Sequence, residues 1–426
     1  MSPRNRAAVR VAVLADSDTR WKWGALTARR LSPPGARVAG FVLRGRATPT
    51  ARQLAEVGAD LDPPAEVTGA EFLAEVRRGG YDVVVLALVG GGVRAMLEGL
   101  SGRLPGRRPV IVTGYVGVVY EKLADGLLLR HGADLVLANS AADARRFRAV
   151  YEGVGADPSA VTEAALPFLG GAPYAPEPGR DTVVFAAQPS VPADRADRAY
   201  LLRRLSEHAR LHPHREVLLK LRSRPGEHTT HIEEHPYQKL AAPGRASPPP
   251  NLRLVHGHMG EVLDRADLLV TVSSTAALEA LHRGVPTAVL TDLGVREALG
   301  NHHFIGSGLL TSWDALDGGH RPRPDAAWLA DQGVAADGSY ARAFDAARAR
   351  LLDLLDAPSL PPVAPYYTRA TAPGYLPGVL ARHRLDAPGG PAAAGPVRRV
   401  LRDAARGLYR QGVQRVAPAI RRLGEL

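Results

Sequence analysis

Short apolar runs rich in β-branched residues alternate with stretches of helical spacing along the first third of the chain. The strands predicted from these runs lie at residues 9–15, 37–43, 82–89, 110–113 and 134–139. Each run is apolar at consecutive positions, which is typical of parallel strands covered on both faces. Because a helical pattern follows each strand in turn, this part of the chain is predicted to form a parallel sheet built from βαβ units.

The alternation begins again after a segment without periodicity. Residues 167–180 contain four prolines and three glycines, which indicates a linker, and we place the linker proper at residues 169–180. Further strands are predicted at residues 182–187, 216–221, 252–256, 268–272 and 286–291, with long helices at 194–210 and 339–355. The predicted fold is therefore α/β, with doubly wound Rossmann-like domains at residues 1–168 and 181–372, a central cleft, and a Pro/Gly-rich segment with a helical tail at 373–426.

Composition excludes several classes of protein. The 426 residues include no cysteine, which excludes disulfide scaffolds, thiolate zinc sites and cysteine nucleophiles, and fits a reducing compartment. The longest apolar run, residues 83–93, has 11 residues with three glycines, whereas about 20 residues are needed to span a bilayer. The first residues show no signal-peptide pattern. We therefore expect a cytoplasmic protein.

The formal charge of +11 is concentrated near the end of the chain. Residues 397–426 contain eight arginines and two acidic residues, and so account for +6 of the total. Residues 397–422 have the spacing of a basic amphipathic helix that could lie on an anionic membrane at its inner face. The alternatives are that this segment docks on a partner protein or that it is disordered. Because the surplus is terminal and few aromatic residues accompany it, nucleic acid is not an expected partner.

The most specific segment is residues 266–290, ADLLVTVSSTAALEALHRGVPTAVL. A buried strand brings Ser273, Ser274 and Thr275 to a helix N-terminus, where free backbone N–H groups and the helix dipole favour an anion such as phosphate. Glu279 follows one turn later on the same helix face, where it could accept hydrogen bonds from a ribose or sugar hydroxyl. The alternative is that the hydroxyls only cap the helix and Glu279 is a solvated charge.

A second polar segment follows the second predicted strand of the later domain. Arginine at a strand end can form two hydrogen bonds with a phosphate, so Lys220 and Arg222 are candidate phosphate ligands. His228, His231 and His235 have the spacing of one helix face and could form a metal trio. A Pro-Gly pair just before them argues against a regular helix, so no metal site is predicted. A polar surface loop is the alternative.

Candidate groups for the other side of the cleft lie in the first domain. Asp16 and Asp18 follow the first strand, so that their carboxylates face the cleft and either could deprotonate an acceptor hydroxyl. Lys22 suits an anionic acceptor, Trp23 could stack on a sugar ring, and Gly114 could let the backbone approach an acceptor closely. The alternatives are that the aspartate turn only caps the helix that follows the first strand, and that the tryptophan only packs that helix against the sheet.

The residue order of segment 266–290, with its SS-T-xx-EAL-xx-G pattern, resembles the nucleotide-binding half of GT-B glycosyltransferases. It is especially similar to bacterial polysialyltransferases, capsule Kdo transferases and CDP-glycerol glycerophosphotransferases, in which a serine pair and a K-x-H-P or H-P motif hold the nucleotide phosphates. Ser273 and Ser274 match the serine pair, and Arg222 stands where those families have histidine. A literal His-Pro pair follows at His235.

The chain from about residue 10 to 380 is most similar to a set of glycosyltransferase-like proteins of high-GC bacteria, which share a DSD-x3-KW element and a K-x-R-x3-GE-x7-HPY element. The resemblance implies a metal-independent GT-B enzyme that takes a sugar from a nucleotide-sugar donor. A CMP-sugar is the favoured donor, and a UDP-sugar is the second choice. The acceptor would be a glycan or a lipid-linked molecule of cell-envelope or capsule type. No cofactor is implied, because the nucleotide sugar is a substrate.

The residues and the resemblance together assign roles to the candidates. Asp18, with Asp16 beside it, would be the base, and His235 would donate a hydrogen bond or proton to the leaving phosphate. The donor would be bound by Lys220, Arg222, Glu227, Ser273, Ser274, Thr275 and Glu279, and the acceptor by Lys22, Trp23 and Gly114. A UDP-N-acetylglucosamine 2-epimerase and a non-catalytic nucleotide-sugar-binding protein are the rival interpretations.

Overall fold

The computed structural model describes residues 8–57, 62–102, 107–118, 122–224, 227, 233–241, 248–383 and 385. The predicted tail helix at 397–422, and His228 and His231 of the predicted histidine trio, lie outside the described residues. Among the residues inside these ranges, no helix combines the length and the apolar character that crossing a bilayer requires.

The first lobe contains a seven-stranded parallel sheet with strand order β3-β2-β1-β4-β5-β6-β7. Its elements are β1 (Arg10–Ala15), α1 (Asp18–Leu31), β2 (Arg37–Leu43), α2 (Ala51–Ala55), β3 (Ala65–Val67), α3 (Gly69–Gly79), β4 (Val83–Ala87), α4 (Gly90–Leu100), β5 (Val110–Gly114), α5 (Leu123–Leu128), β6 (Leu135–Ala138), α6 (Ala141–Gly153) and β7 (Val161–Glu163). The strand order reverses between β1 and β4, which opens a crevice at their carboxyl ends.

The second lobe repeats this design with a six-stranded parallel sheet of order β10-β9-β8-β11-β12-β13. Its elements are β8 (Thr182–Ala186), α7 (Arg195–Leu211), β9 (Glu216–Lys220), α8 (Tyr237–Leu240), β10 (Leu252–Val255), α9 (Met259–Leu263), β11 (Leu268–Thr271), α10 (Ala276–Arg283), β12 (Thr287–Leu290), β13 (Leu310–Thr311), α11 (Trp313–Asp317) and α12 (Ala326–Asp331). Two helices follow in the chain, α13 (Asp345–Asp356) and α14 (Leu376–Arg382). Short 3-10 helices lie at Glu297–Leu299, Asn301–Phe304 and Ser339–Arg342. The predicted α/β fold of two doubly wound sheets is confirmed.

The core explains why consecutive apolar residues form these strands. In β1, Val11 and Val13 belong to one hydrophobic cluster, while Ala12 and Leu14 belong to another on the opposite face of the sheet. Successive side chains of a strand point to opposite faces, so a strand buried on both faces has apolar residues at every position. Val184 of β8 belongs to the same cluster as Val11, and the core is therefore continuous through both lobes.

The chain returns to the first lobe after the second sheet is complete. Helix α13 packs on α1, β5, β6 and β7, and α14 packs on α4. The long helix predicted at 339–355 is divided, with a 3-10 helix at Ser339–Arg342 before α13. Elements from the end of the chain thus cover the first sheet, while the domain boundaries placed from the sequence stay a prediction.

Candidate functional site

The turn after β1 holds the first of the two candidate carboxylates in place. Ser17 caps α1, because its hydroxyl accepts a hydrogen bond from the backbone N–H of Arg20 at 3.4 Å. The two oxygens of Asp16 accept from the Arg20 guanidinium at 2.8 Å and from the backbone N–H of Val89, after β4, at 2.9 Å. Asp16 therefore joins the ends of two neighbouring strands, and both of its oxygens have partners within the first lobe.

Asp18, the second carboxylate, reaches across the cleft. The guanidinium of Arg222, just beyond β9 of the second lobe, donates to the Asp18 carboxylate and to the Thr19 hydroxyl. Burial alone would raise the pKa of Asp18, but the charge of Arg222 and its hydrogen bonds outweigh burial, so the pKa lies below its usual value. The carboxylate predicted as base and the cation predicted at the donor phosphate are thus in direct contact.

Lys220 lies at the carboxyl end of β9, close to Arg222. Its side chain is almost fully buried, with 6% of the residue exposed, and Nζ donates to the backbone carbonyl of Leu221 at 2.8 Å. Burial lowers the pKa of Lys220 to about 8, and repulsion by Arg222 acts in the same direction. The ammonium is therefore poorly compensated, and an anion entering the cleft would stabilise its charge.

Glu227 was predicted to contact the donor and instead makes an ion pair between the lobes. The guanidinium of Arg52, in α2 of the first lobe, donates to both of its carboxylate oxygens. Glu227 also accepts from the backbone N–H of Arg224 at 2.8 Å. Hydrogen bonds from Arg52 lower the pKa of Glu227 and outweigh the opposing effect of burial. Glu227 therefore ties its loop to the first lobe in this structure.

The three hydroxyls of the turn after β11 differ in their surroundings. Ser273 is buried, its N–H donates to the Gln188 side chain at 3.0 Å, and its hydroxyl donates to the carbonyl of Leu299 at 2.5 Å. The hydroxyl of Ser274 accepts from the N–H of Ala276 at 3.2 Å and so caps α10. Both of these hydroxyls are used by the fold of the second lobe, as the capping alternative proposed.

Thr275 faces the first lobe. A Cβ atom added to Gly117, in the loop after β5, would lie 3.2 Å from the Thr275 hydroxyl oxygen, so the two lobes approach closely there. Of the three hydroxyls predicted to contact the donor, that of Thr275 is the one directed between the lobes, at the N-terminus of α10. Its position suits a hydrogen bond to an anion bound at this helix end.

Lys22 and Glu279 were predicted on opposite sides of the cleft and are paired with each other. Lys22 Nζ in α1 lies 3.5 Å from Glu279 Oε2 in the first turn of α10, and 4.6 Å from the centre of the Phe168 ring. Glu279 is 7% exposed, so its charge is compensated mainly by this lysine rather than by water. His258, at the start of α9, lies beside this pair, and burial lowers its pKa, with repulsion by Lys22 acting the same way.

Two of the predicted acceptor contacts are wrong. Trp23 is 1% exposed and lies in the hydrophobic core, so it cannot stack on a bound sugar. A Cβ atom on Gly114 would lie 2.7 Å from the Trp23 ring and 2.9 Å from the Leu137 carbonyl oxygen. The glycine therefore makes room for the tryptophan. His235 is half-buried in the turn before α8, and no contact among the described residues joins it to Asp18 or Arg222.

One group of side chains in the described ranges has the composition of a metal site. Ligand atoms of His208, His212 and Asp317 lie within 4.8 Å of one another at the amino-terminal edge of the second sheet, away from the cleft. Nδ1 of His208 contacts Asp317 at 2.6 Å, and Nε2 faces the guanidinium of Arg215 at 3.3 Å. A metal at His208 would have to displace one of these partners, and Arg215 adds a positive charge. The contacts fit a hydrogen-bonded cluster better than a metal site.

A family model described as "Putative glycosyltransferase (DUF6716)" matches residues 11–353. The chain belongs to this family. The match extends from β1 into α13, so it includes both sheets and all the cleft residues described above. No protein of curated function matches the sequence.

Several solved structures are similar to this chain, and the first of those described here supports the architecture. A Listeria monocytogenes protein described as a "putative UDP-N-acetylglucosamine 2-epimerase" aligns with a TM-score of 0.50 at 14% identity, over 80% of this chain and 95% of that one. The UDP-GlcNAc 2-epimerase of Neisseria meningitidis bound to UDP-GlcNAc aligns with a TM-score of 0.49 at 10% identity, over 81% of this chain and 100% of that one. The glycotransferase of kitacinnamycin aligns with a TM-score of 0.44 at 15% identity, over 82% of this chain and 96% of that one. The predicted GT-B fold is confirmed, while the closer resemblance to polysialyltransferases, Kdo transferases and CDP-glycerol glycerophosphotransferases stays a prediction.

Residues that sequence reasoning missed complete the site of this family member. Arg52 enters from α2, whose start is marked by a capping box in which Thr50 and Gln53 exchange hydrogen bonds. That signal could have located the helix, but not its contact with Glu227. Gln188, which follows β8, fixes the Ser273 turn, and its place after a predicted strand could have been noticed. His258 follows β10 in the same way.

Proposed function

We propose that this protein is a metal-independent GT-B glycosyltransferase that moves a sugar from a nucleotide-sugar donor to an acceptor hydroxyl. The family description and the fold support this reaction class. The observation that carries the proposal is the meeting of Asp18 and Arg222 across the cleft. A transferase needs a base for the acceptor and positive charge at the leaving phosphate, and this pair brings both to one point.

The donor would bind to the second lobe. Arg222 and Lys220 supply positive charge at the carboxyl end of β9, and Thr275 supplies a hydroxyl beside the N-terminus of α10. Glu279 could exchange its contact with Lys22 for a ribose hydroxyl. The sequence resemblance supports a CMP-sugar as the first donor to test and a UDP-sugar as the second.

In the proposed reaction, Asp18 accepts the proton of the acceptor hydroxyl as its oxygen bonds to the anomeric carbon of the donor. The bond between that carbon and the phosphate oxygen breaks, and its electron pair stays on the phosphate. Arg222 and Lys220 stabilise the charge that develops there, and preorganised electrostatic stabilisation of this kind commonly contributes more than any other effect to an enzyme's rate enhancement. Attack from the face opposite the leaving group inverts the anomeric configuration.

The acceptor is proposed to be a glycan or lipid-linked molecule of cell-envelope or capsule type. Lys22, at the first-lobe side of the cleft, would favour an anionic acceptor when it leaves Glu279. The basic segment 397–422 is proposed to bring the enzyme to an anionic membrane surface. Both proposals start from sequence patterns, and Lys22 adds the structural support of its position in the cleft.

A donor screen tests the proposed function. The purified protein is incubated with CMP-, CDP-, UDP- and GDP-sugars in EDTA, with and without acceptor oligosaccharides, and released nucleotide is measured. We expect release that depends on the acceptor and is unaffected by EDTA. Conversion of UDP-GlcNAc to UDP-ManNAc would instead identify an epimerase. Nucleotide binding without turnover would identify a non-catalytic binding protein.

A variant pair tests the site within the same screen. Arg222→Ala removes the guanidinium at the expected phosphate position, and we expect nucleotide binding to weaken at least about tenfold, because a charge-assisted contact is lost. Arg210→Ala is the matched control, since Arg210 is exposed in the last turn of α7, at the edge of the sheet away from the cleft. Equal binding by Arg222→Ala and the wild type would contradict the site.

A further inference from the structure

The site contains a contact that the proposed reaction must break. Arg222 donates to Asp18 and to Thr19, so the cation assigned to the donor phosphate is held by the carboxylate assigned to the acceptor. The side chains of Arg222 and Asp18 are 30% and 15% exposed, so their interaction is only partly screened by water. A carboxylate held in this way is a poor proton acceptor, and a guanidinium held in this way is a weaker phosphate ligand.

We propose that the donor phosphate and Asp18 compete for Arg222, so that donor binding itself releases the base. This inference rests on the proposed function and adds an order of events, in which the donor binds first and the acceptor is activated second. The acceptor hydroxyl would find a free carboxylate only after Arg222 has moved to the phosphate. A donor-free enzyme would therefore keep its base inactive.

The surroundings of Asp18 favour this exchange. Among the described residues, the charged partner of Asp18 is Arg222, while the neighbouring Arg20 pairs with Asp16. Once Arg222 leaves, Asp18 keeps its hydrogen bonds from Thr19 but loses the two largest effects that lower its pKa, so burial, which acts to raise the pKa, has a larger influence. The same movement that positions the phosphate therefore makes Asp18 a stronger base.

The exchange of partner by Arg222 does not depend on the other ion pairs that join the lobes. Lys22 with Glu279 and Arg52 with Glu227 also join the lobes, and neither pair includes Arg222. Lys220 lies beside Arg222 with a backbone carbonyl as its hydrogen-bond acceptor, so a phosphate would meet two cations on the same side. A change of side-chain partner is therefore sufficient, and no rearrangement of the two lobes is required.

Titration of the full-length protein with CMP, CDP, UDP and GDP tests the competition. Asp18→Asn removes the competing charge and keeps the size of the side chain, so we expect the nucleotide that the wild type binds to bind about fivefold to thirtyfold tighter, within the usual range of coupling between two sites. Asp16→Asn is the control for removing a negative charge from the cleft, because Asp16 contacts Arg20 and not Arg222. It should give no such gain.

Unchanged or weaker binding by Asp18→Asn, beside measurable binding by the wild type, would overturn the competition and leave the proposed function standing. If the wild type binds none of the four nucleotides, both fail together. A crystal structure of the wild type with bound nucleotide decides the point without a variant. We expect the Arg222 guanidinium on the phosphate and away from Asp18, and a nucleotide bound beside an intact Asp18–Arg222 pair would overturn the inference.

Discussion

The turn after β1 and the turn after β11 each follow one of the two strands that flank the reversal of strand order in their lobe, and each leads into a helix. In both turns one serine hydroxyl caps the helix, that of Ser17 for α1 and that of Ser274 for α10. In both, a second side chain is fixed within its own lobe, Asp16 by Val89 and Ser273 by Leu299. The third side chain of each turn, Asp18 or Thr275, is directed between the lobes.

The difference between the turns lies in charge. The first lobe directs a carboxylate into the cleft, whereas the second directs a hydroxyl and supplies the cations Lys220 and Arg222 from the end of β9, on the other side of β8. One lobe is therefore equipped to accept a proton and the other to hold an anion. In both turns the chemistry is thus left to the side chain that the local fold does not require.

The largest effect is expected from the charged member of the first turn. Asp18→Asn should lower the rate of sugar transfer about 10²- to 10⁴-fold, the usual contribution of a general base. Acceptor-dependent nucleotide release measures this loss. Asp345→Asn, in an exposed pair with Arg348 at 2.6 Å, is the control and should keep wild-type activity. Full transfer activity in Asp18→Asn would remove the functional difference between the turns.

Lys220, the buried cation of the second lobe, should dominate the dependence of stability on pH. The folded protein releases the proton of Lys220 near pH 8, and an unfolded chain does so near pH 10.4. Between these values the unfolded state binds more protons, so the free energy of unfolding should rise with pH across this window. Lys220→Met removes the buried charge, and we expect it to be more stable than the wild type at pH 7 by up to about 3 kcal/mol.

Thermal unfolding from pH 7 to pH 10 measures this difference. Lys220→Met should lose the rise in stability above pH 8 and should also bind nucleotide more weakly, so that stability and function change in opposite directions. The exposed Lys239→Met is the control and should keep the wild-type pH dependence. A variant that is less stable at pH 7 would show that Lys220 is well compensated in the fold.

The centre of each sheet was predictable from the sequence, and so was the edge strand β10, but the other three edge strands were not. β2 has the predicted bounds, and α10 begins after the Ser-Ser-Thr turn and ends at Gly284, whose φ of 78° few other residues adopt. Buried parallel strands give continuous apolar runs, and these are easily recognised. The edge strands β3, β7 and β13 have only two or three residues, which is too short for any periodicity.

The location of the candidate site was predictable from the sequence, whereas the contacts made by its side chains were less so. Asp18 and Arg222 each follow a strand, and the carboxyl ends of parallel strands meet at one edge, so their nearness to the cleft follows from the fold. The burial of Trp23 against Gly114 depends on residues far apart in the sequence. The same holds for Arg52 and Glu227, whose contact requires the two lobes to be placed first.

Two glycines at the carboxyl end of β5 have different roles, because Gly114 packs within the first lobe and Gly117 lies against the second lobe. Gly114→Ala should destabilise the protein by about 1–3 kcal/mol, the usual cost of overpacking, because its Cβ would meet the Trp23 ring. Gly117→Ala should leave the free energy of unfolding nearly unchanged, since the Thr275 side chain can move aside, and should weaken nucleotide binding instead. Denaturant unfolding and nucleotide titration of both variants measure these effects. Equal stability of the two variants would contradict the packing role of Gly114.

The smallest effects are expected at Ser273 and Thr275, two of the three hydroxyls of the second turn, and they should differ between stability and binding. Ser273→Ala removes the buried hydrogen bond to the Leu299 carbonyl and should lower the free energy of unfolding by about 1 kcal/mol. Thr275→Val keeps the side-chain shape and removes the hydroxyl directed between the lobes. It should leave stability nearly unchanged and weaken nucleotide binding about threefold to tenfold, the value of one hydrogen bond.

Unfolding free energies and nucleotide affinities of both variants, measured side by side, complete the comparison of the turns. The contacts of Ser273 are all made within its own lobe, so any loss of binding in Ser273→Ala should follow its loss of stability and recover at lower temperature. The loss in Thr275→Val should persist at every temperature at which the protein is folded. The opposite pattern would mean that the serine, rather than the threonine, touches the donor, and that the turn rearranges when the donor binds.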